Sequence, residues 1–355
     1  MTKFLIIVTG ILGLAVVFQI LRTFQLAAKL RGKNDWEVTD HENKTQALMM
    51  PIFMVFFFGF VIWQIMRWGH LSLPESASIH GEETDMLLSV TWWIITPVFF
   101  ITHILLFYFC YKFVYNKDRR ADFYPHNNKL EMLWTIVPTI VLTCLIIYGL
   151  VTWNKIMTPI AEDTDHVLIE LYGKQFDWTA RYAGEDMRFG DANTRRIEGA
   201  NVLGIDSADV NAADDKIVKG EFHLPVNKPV QFVFRSQDII HSAYMPHFRA
   251  QMNCVPGMKT QFNFVPKYTT AEMREKVGNP EFDYLVLCNK ICGAAHYNMQ
   301  IKIVVESQED YDKWLAEQAT FIASNEVAPV QPEKPAVIEA EAAAPTLEND
   351  STKTE

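Results

Sequence analysis

Four stretches of this chain run too long without charge to lie against water, and all four fall within its first 155 residues. They are Phe4 to Leu21, bounded by Lys3 and Arg22; roughly Leu48 to Met66, ending at Arg67; the run between Asp85 and Lys112; and the run between Glu131 and Lys155. A helix needs about 20 apolar residues to cross a bilayer core, so these stretches read as membrane helices. The remaining 200 residues carry most of the charge, and that split excludes a single soluble globule of even composition. A formal net charge of −10 argues against a nucleic-acid partner, because phosphate binding needs clustered Lys and Arg. It suits a basic partner, by electrostatic steering.

Loop charges set the expected topology. Arg22, Lys29, Arg31, Lys33 and Lys44 follow the first stretch, and Lys112, Lys117, Arg119, Arg120 and Lys129 follow the third. The loop between the second and third has no Lys or Arg from Trp68 to Ser89, and carries Glu75, Glu82, Glu83 and Asp85 instead. Basic loops stay cytoplasmic. The pattern therefore predicts four spans, with the N-terminus and everything after Lys155 outside. The first stretch has a second reading, as a signal peptide cleaved after Ala28; three spans then remain, with the same outside placement of the C-terminal region.

From about Asp165 the periodicity changes to two. Val230, Phe232 and Phe234 alternate with Gln231, Val233 and Arg235; Phe262 and Phe264 with Gln261 and Asn263; Ile301, Ile303 and Val305 with Gln300, Lys302 and Val304. Such alternation marks half-buried strands. Several short strands without long helices between them predict a β-sandwich or barrel. Residues 183–215, rich in Gly, Asp, Asn and Ala, read as a long surface insertion. From Glu326 the chain is mostly Ala, Glu and Pro, too poor in apolar residues to offset its chain entropy, and reads as disordered.

The segment Cys288-Asn289-Lys290-Ile291-Cys292-Gly293-Ala294-Ala295-His296-Tyr297-Asn298-Met299 gathers two thiols, an imidazole and a thioether into twelve residues. Its Cys-x3-Cys-x3-His-x2-Met spacing is not that of a zinc finger. Thiolate and thioether select copper, and imidazole suits it. A mononuclear blue-copper site takes one Cys, two His and a weak axial Met. A second thiolate permits a bridged pair of coppers, each with the shared sulfurs, one His and one weak ligand. One electron spread over two metals changes bond lengths little on reduction, which favours fast electron transfer and leaves no open position for substrate. The segment is one His short. On chemistry alone both His241, in Asp238-Ile239-Ile240-His241-Ser242, and His247 are available. A plain Cys288–Cys292 disulfide is the competing reading of the two thiols.

Taken together, these motifs resemble subunit II of the haem–copper cytochrome c oxidases, over roughly Asp85 to Trp314. The resemblance rests on Glu131-Met132-Leu133-Trp134-Thr135 with Pro138, Gly173-Lys174-Gln175-Phe176-Asp177-Trp178 with Tyr182, Leu224-Pro225, Asp238 through Ser242 with Pro246, Val255-Pro256-Gly257, and the Cys-Cys-His-Met loop. It implies a membrane-anchored all-β chain: N-terminal transmembrane helices followed by an external cupredoxin-like Greek-key β-barrel or sandwich that holds two copper ions as the dinuclear CuA centre. The family's metal ligands fall on His241, Cys288, the backbone carbonyl of Lys290, Cys292, His296 and Met299, while His247 sits where the family has a small residue. Glu131 falls at the cytoplasmic mouth of a proton path into subunit I. Read without the family it is an interfacial or helix-start acid.

The resemblance also implies a function. The chain would accept electrons from a cytochrome c-type donor and pass them to haem, held only in subunit I, for oxygen reduction coupled to proton translocation. It would be an oxidoreductase only within that complex, with subunits I and III as partners, in a bacterial inner membrane with the copper domain on the periplasmic side. The alternatives are the CuA domain of another copper reductase and a membrane-anchored copper assembly protein. Along the whole sequence the expected layout is an apolar segment and basic loop over 1–47, three helices within 48–155 (about 48–66, 88–111 and 132–153, the last two forming the family's hairpin), a copper domain over 163–320 with the insertion 183–215, and an acidic tail over 326–355; the first two apolar stretches and the tail fall outside the family's pattern.

Two departures from the family pattern bear on function. Phe176-Asp177-Trp178 stands where the family has Trp-Tyr-Trp, whose first Trp is the entry point for electrons. Phe176 keeps an aromatic ring but loses the indole nitrogen. That points to a membrane-bound or supercomplex-bound cytochrome as donor, or to entry through Trp178 or the metal ligands. Lys290 stands where the family often has Glu, whose side chain helps bind Mg²⁺ between subunits. An ammonium does not ligate Mg²⁺, so that site is expected to be altered or absent.

Overall fold

The structure, a computed structural model, describes residues 2–30, 32, 39–116, 118–161 and 163–322. The tail expected to be disordered from Glu326 lies outside the described residues, as does part of the basic loop after the first helix. The chain divides into two compact units.

Four helices in the first part of the chain are long and apolar enough to cross a membrane: α1 (Thr2–Leu30), α2 (Asp40–Trp68), α3 (Ile79–Lys112) and α4 (Asn128–Met157). They outrun the uncharged stretches because polar residues at their starts satisfy free N–H groups. Thr39 and Glu42 form a reciprocal capping box on α2. Ser78 Oγ accepts the Gly81 N–H at 3.1 Å at the start of α3, and Asn127 Oδ1 accepts the Leu130 N–H at 3.1 Å at the start of α4. Pro51, Pro97 and Pro138 lie inside α2, α3 and α4, a tolerated feature of helices in lipid. In the apolar windows of α1, α2 and α3 none of the residues is buried within the chain. Helices exposing Phe, Ile and Leu on all sides are stable only against lipid or partner helices, so this is a membrane protein.

The other unit is built on ten strands: β1 (Val167–Lys174), β2 (Asp177–Tyr182), β3 (Lys216–Lys219), β4 (Glu221–Pro225), β5 (Val230–Ser236), β6 (His241–Met245), β7 (Ala250–Cys254), β8 (Thr260–Phe264), β9 (Tyr284–Cys288) and β10 (Gln300–Glu306). Two short helices, α5 (Thr270–Val277) and α6 (Gln308–Glu317), accompany them. The strands form two five-stranded sheets, ordered β3-β2-β1-β5-β8 and β4-β10-β9-β6-β7. Each sheet holds one parallel pair, β1–β5 and β4–β10, which requires crossovers between sheets. One core lies between the sheets, with Ile169, Leu171, Phe232 and Phe234 from the first and Phe222, Val286, Ile301 and Ile303 from the second. This is the β-sandwich that the alternating residues predict.

The alternation fails at Arg235, which is buried at the end of β5 although it stands at an outward position. Its guanidinium pairs with Glu170 through Nε and, at 3.1 Å, through Nη2. Glu170 also takes Arg181 Nη1 at 3.3 Å, and Arg181 Nη2 pairs with Asp215 and donates to the Gly190 carbonyl at 2.6 Å. The Gly190 N–H returns to Asp215 at 3.1 Å. Two cations and two carboxylates, all buried, thus tie the segment after β2 to β1 and β5. That segment is a folded lobe: Leu203, Ile205 and Ala212 cluster on Tyr172 and Phe321. Removing one member of a buried ion network leaves the others uncompensated, which costs about 3–5 kcal/mol. Arg181→Ala is therefore expected to lower the unfolding free energy of this unit by that amount, measured by denaturation with fluorescence detection, whereas removing the exposed Arg196 ion pairs changes it by less than about 1 kcal/mol.

Candidate metal centre

The site forms where two neighbouring strands of the second sheet end. His241 opens β6, Cys288 closes β9, and the strands run antiparallel with Ala243 opposite Cys288. The loop that follows β9 closes on itself at its base: the Cys288 N–H bonds the Met299 carbonyl at 3.0 Å, and the Asn289 N–H bonds the Ser242 carbonyl at 2.9 Å. Twelve residues of chain are thereby folded so that both ends and the middle face one point. His241, Cys288, Cys292 and Met299 are buried.

The donor atoms are arranged in two similar halves. Cys288 Sγ has His241 Nδ1 at 3.8 Å and the Lys290 carbonyl at 3.2 Å. Cys292 Sγ has His296 Nδ1 at 3.4 Å and Met299 Sδ at 3.7 Å. The two sulfurs are 3.8 Å apart and both are free thiols, so the disulfide reading fails. The donor atoms of His241, Cys288 and Cys292 lie within 4.8 Å of one another, the spacing of a group able to hold a metal ion. Burial raises the Cys292 thiol to about 11, and the neighbouring Cys288 adds to this. Both thiols must lose their protons to become metal ligands.

Asp238 orients the first imidazole. Its Oδ1 accepts the His241 Nε2–H at 2.8 Å, which leaves Nδ1 as the lone-pair nitrogen facing the sulfurs. Burial opposes the Asp238 charge, but the Gln175 N–H, the His241 ring and the Ile239 N–H together hold its carboxyl below the usual range. Only the motif containing Asp238 is visible in the sequence; an acid three residues before a strand-opening His is the signal that marks its role.

The β1–β2 hairpin packs onto the same point. A Cβ on Gly173 would lie 3.0 Å from Trp178 and 3.2 Å from His241, so β1 passes the site without a side chain. Trp178 is fully buried and edge-on to His241, with ring centroids 6.0 Å apart. Phe176 is partly buried and lies over Gly293 in the cysteine loop, where a Cβ would come within 2.9 Å of its ring. Gly293 also has φ of +137°, a conformation that other residues avoid. Glu131 lies in the first turn of α4, where its Oε1 accepts the Asn127 N–H at 3.3 Å, the bond of a helix-start acid.

The structure keeps His247 apart from the sulfurs. Its ring packs edge-on against Phe282 and Tyr284. Burial, then the Arg249 charge, lower its imidazole from 6.5 to about 4. The neutral ring therefore contributes stability that is complete above pH 6.5 and is lost as pH falls toward 4, where the unfolded chain binds a proton that the folded one resists. His247→Gln is expected to flatten this acid limb of the stability curve while leaving metal binding intact; a lost metal site in that variant would reverse the assignment of His241.

Comparison with known proteins covers both parts of the chain. Residues 66–151 match the family described as the transmembrane domain of cytochrome c oxidase subunit II, and residues 167–308 match its periplasmic domain. The alternative cytochrome c oxidase subunit 2 of Bradyrhizobium diazoefficiens is 36% identical over 238 residues, which are 67% of this chain and 80% of that protein. Cytochrome c oxidase subunit 2 of Synechocystis sp. is 26% identical over 74% of this chain and 81% of its own length, and that of Cereibacter sphaeroides 28% identical over 76% and 84%. With matching segments on both the membrane helices and the β-sandwich, the chain belongs to the cytochrome c oxidase subunit II family.

Proposed function

We propose that this chain relays electrons one at a time through a two-copper CuA centre held by His241, Cys288, the Lys290 carbonyl, Cys292, His296 and Met299. As a member of its family it is an electron-transfer subunit of a terminal oxidase and works within an oxidoreductase complex. The observation that carries the finer reading is the doubled donor set: two thiols 3.8 Å apart, each with its own imidazole nitrogen and its own weak donor. A pair of coppers held by these residues would supply one-electron storage with little change in bond lengths. The protein residues do the rest. Asp238 holds the His241 tautomer, the closed loop fixes both sulfurs, and burial of His241, Cys288, Cys292 and Met299 keeps those ligands dry.

In this reading the donor is a cytochrome c-type protein that meets the Phe176 edge of the site, membrane-bound or in a supercomplex because the family's indole is missing there. The acceptor is haem in subunit I, with subunit III completing the complex. The helices anchor the chain in a bacterial inner membrane, and the β-sandwich faces the periplasm, following the basic loops of the sequence. Lys290 presents an ammonium where Mg²⁺ wants oxygen, so the family's Mg²⁺ site is altered or absent in this reading. The decisive test is metal analysis and EPR of the full chain in its complex. The expected result is two CuA coppers per chain beyond those of partner subunits, a seven-line mixed-valence signal lost in Cys288→Ser and His241→Ala, and no Mg²⁺ at Lys290; one copper, or none, overturns the relay.

Glu131 is assigned to the mouth of a proton path into subunit I. It sits at the start of α4, on the side where the basic loop precedes the helix. Glu131→Gln is expected to lower oxidase turnover at least tenfold while leaving the copper EPR signal unchanged. Unchanged turnover returns Glu131 to a helix-start acid.

A further inference from the structure

Gln175, at the tip of the β1–β2 hairpin, is bonded to the Cys292 loop and to Asp238, the carboxylate that holds His241. Its backbone N–H donates to Asp238 Oδ2 at 2.8 Å, and the other oxygen of that carboxylate holds the His241 ring. Its side-chain amide donates to the carbonyl of Cys292. That carbonyl only accepts, so the amide nitrogen must face it. The contact is close because Gly293 has no side chain: a Cβ there would sit 2.8 Å from the Gln175 amide nitrogen. His241 and Cys292 lie on different segments, 51 positions apart in the chain, and Gln175 belongs to neither.

From this geometry we infer that Gln175 is a positioning residue for the metal centre, a clasp that joins the His241 segment to the Cys292 loop and sets the electronic character of the centre. The inference rests on the two-copper reading above. Hydrogen bonds around metal ligands fix their orientation and tune the metal. An N–H donated to the carbonyl of a ligating cysteine draws electron density from that residue and keeps its peptide from turning. Without it the Cys292 half becomes more electron-rich and less equivalent to the Cys288 half. The centre then holds its electron less tightly, and that electron spreads less evenly over the two metals.

Two near-isosteric variants separate this role from simple packing. Gln175→Met removes the donor, and Gln175→Glu puts an acceptor oxygen against the carbonyl. The full chain in its complex is examined by copper count, EPR and redox titration. Wild type must first show two coppers and the shared-electron signal; if it does not, the function proposed above fails and the clasp fails with it. With that signal present, both variants are expected to keep two coppers and to broaden or unbalance the hyperfine pattern. Gln175→Glu shifts the reduction equilibrium about tenfold toward the oxidised form, about 59 mV for one electron, and Gln175→Met shifts it less in the same direction. Wild-type hyperfine pattern and midpoint in both variants overturn the clasp while leaving the relay standing. If a variant does not load copper, the apo full chain decides: the clasp predicts faster alkylation of Cys292 than in wild type, relative to Cys288, and an unchanged ratio overturns it.

Discussion

The Asp238 carboxylate is the point on which the cysteine-bearing end of the sandwich depends. One oxygen holds the His241 ring, the other holds the tip of the β1–β2 hairpin, and the Ile239 N–H turns the chain between them. A His ring at a strand end has two nitrogens of similar basicity, and only a fixed partner on one of them presents the other reliably to a metal. The same carboxylate therefore decides which nitrogen of His241 faces the sulfurs and where the hairpin that carries Phe176 comes to rest. The two glycines at Gly173 and Gly293 make that packing possible by letting backbone pass where a side chain would collide.

Around this end the sandwich separates its polar work into two places. At the site, polar groups are satisfied by short local bonds. On the first sheet, the Glu170, Arg181, Asp215 and Arg235 network is buried without any metal. Ionic groups so enclosed add little net stability over an apolar packing, but they are unforgiving of rearrangement. They bind the lobe after β2 to the two strands that lead to the site, β1 and β5, whose ends at Gly173 and Ser236 are neighbours in the parallel pair. The lobe is thereby held in one position relative to the metal loop.

Much of this was legible in the residues. Uncharged runs determine membrane helices because lipid admits no unsatisfied backbone. Two-residue alternation in Val230 to Phe234 and in Ile301 to Val305 determines strands with one buried face, and those residues are buried as the alternation requires. The Cys-Cys-His-Met loop announces a soft-metal site by its chemistry alone. What was not legible has a physical cause in each case. Residues 183–215 read as open loop because their few apolar residues, Leu203, Ile205 and Ala212, find their partners on distant Tyr172 and Phe321. Arg235 and Asn263 break the alternation because each is buried with a remote polar partner: Glu170 for the first, the Thr158 carbonyl for the second.

The sequence by itself determined the kind of protein this is: apolar helices by length, a sandwich by periodicity, and a sulfur-rich donor set by spacing within one short loop. Those are local properties, set by covalent neighbours. It left open the choice between His241 and His247 on chemical grounds, and the roles of Gln175 and Asp238. The family resemblance points to His241, and the tertiary structure shows where each residue lies, because their positions depend on strands β1, β6 and β9 meeting at one end of the sandwich. His241 faces the sulfurs with one ring nitrogen while Asp238 occupies the other, and His247 turns instead into Phe282 and Tyr284.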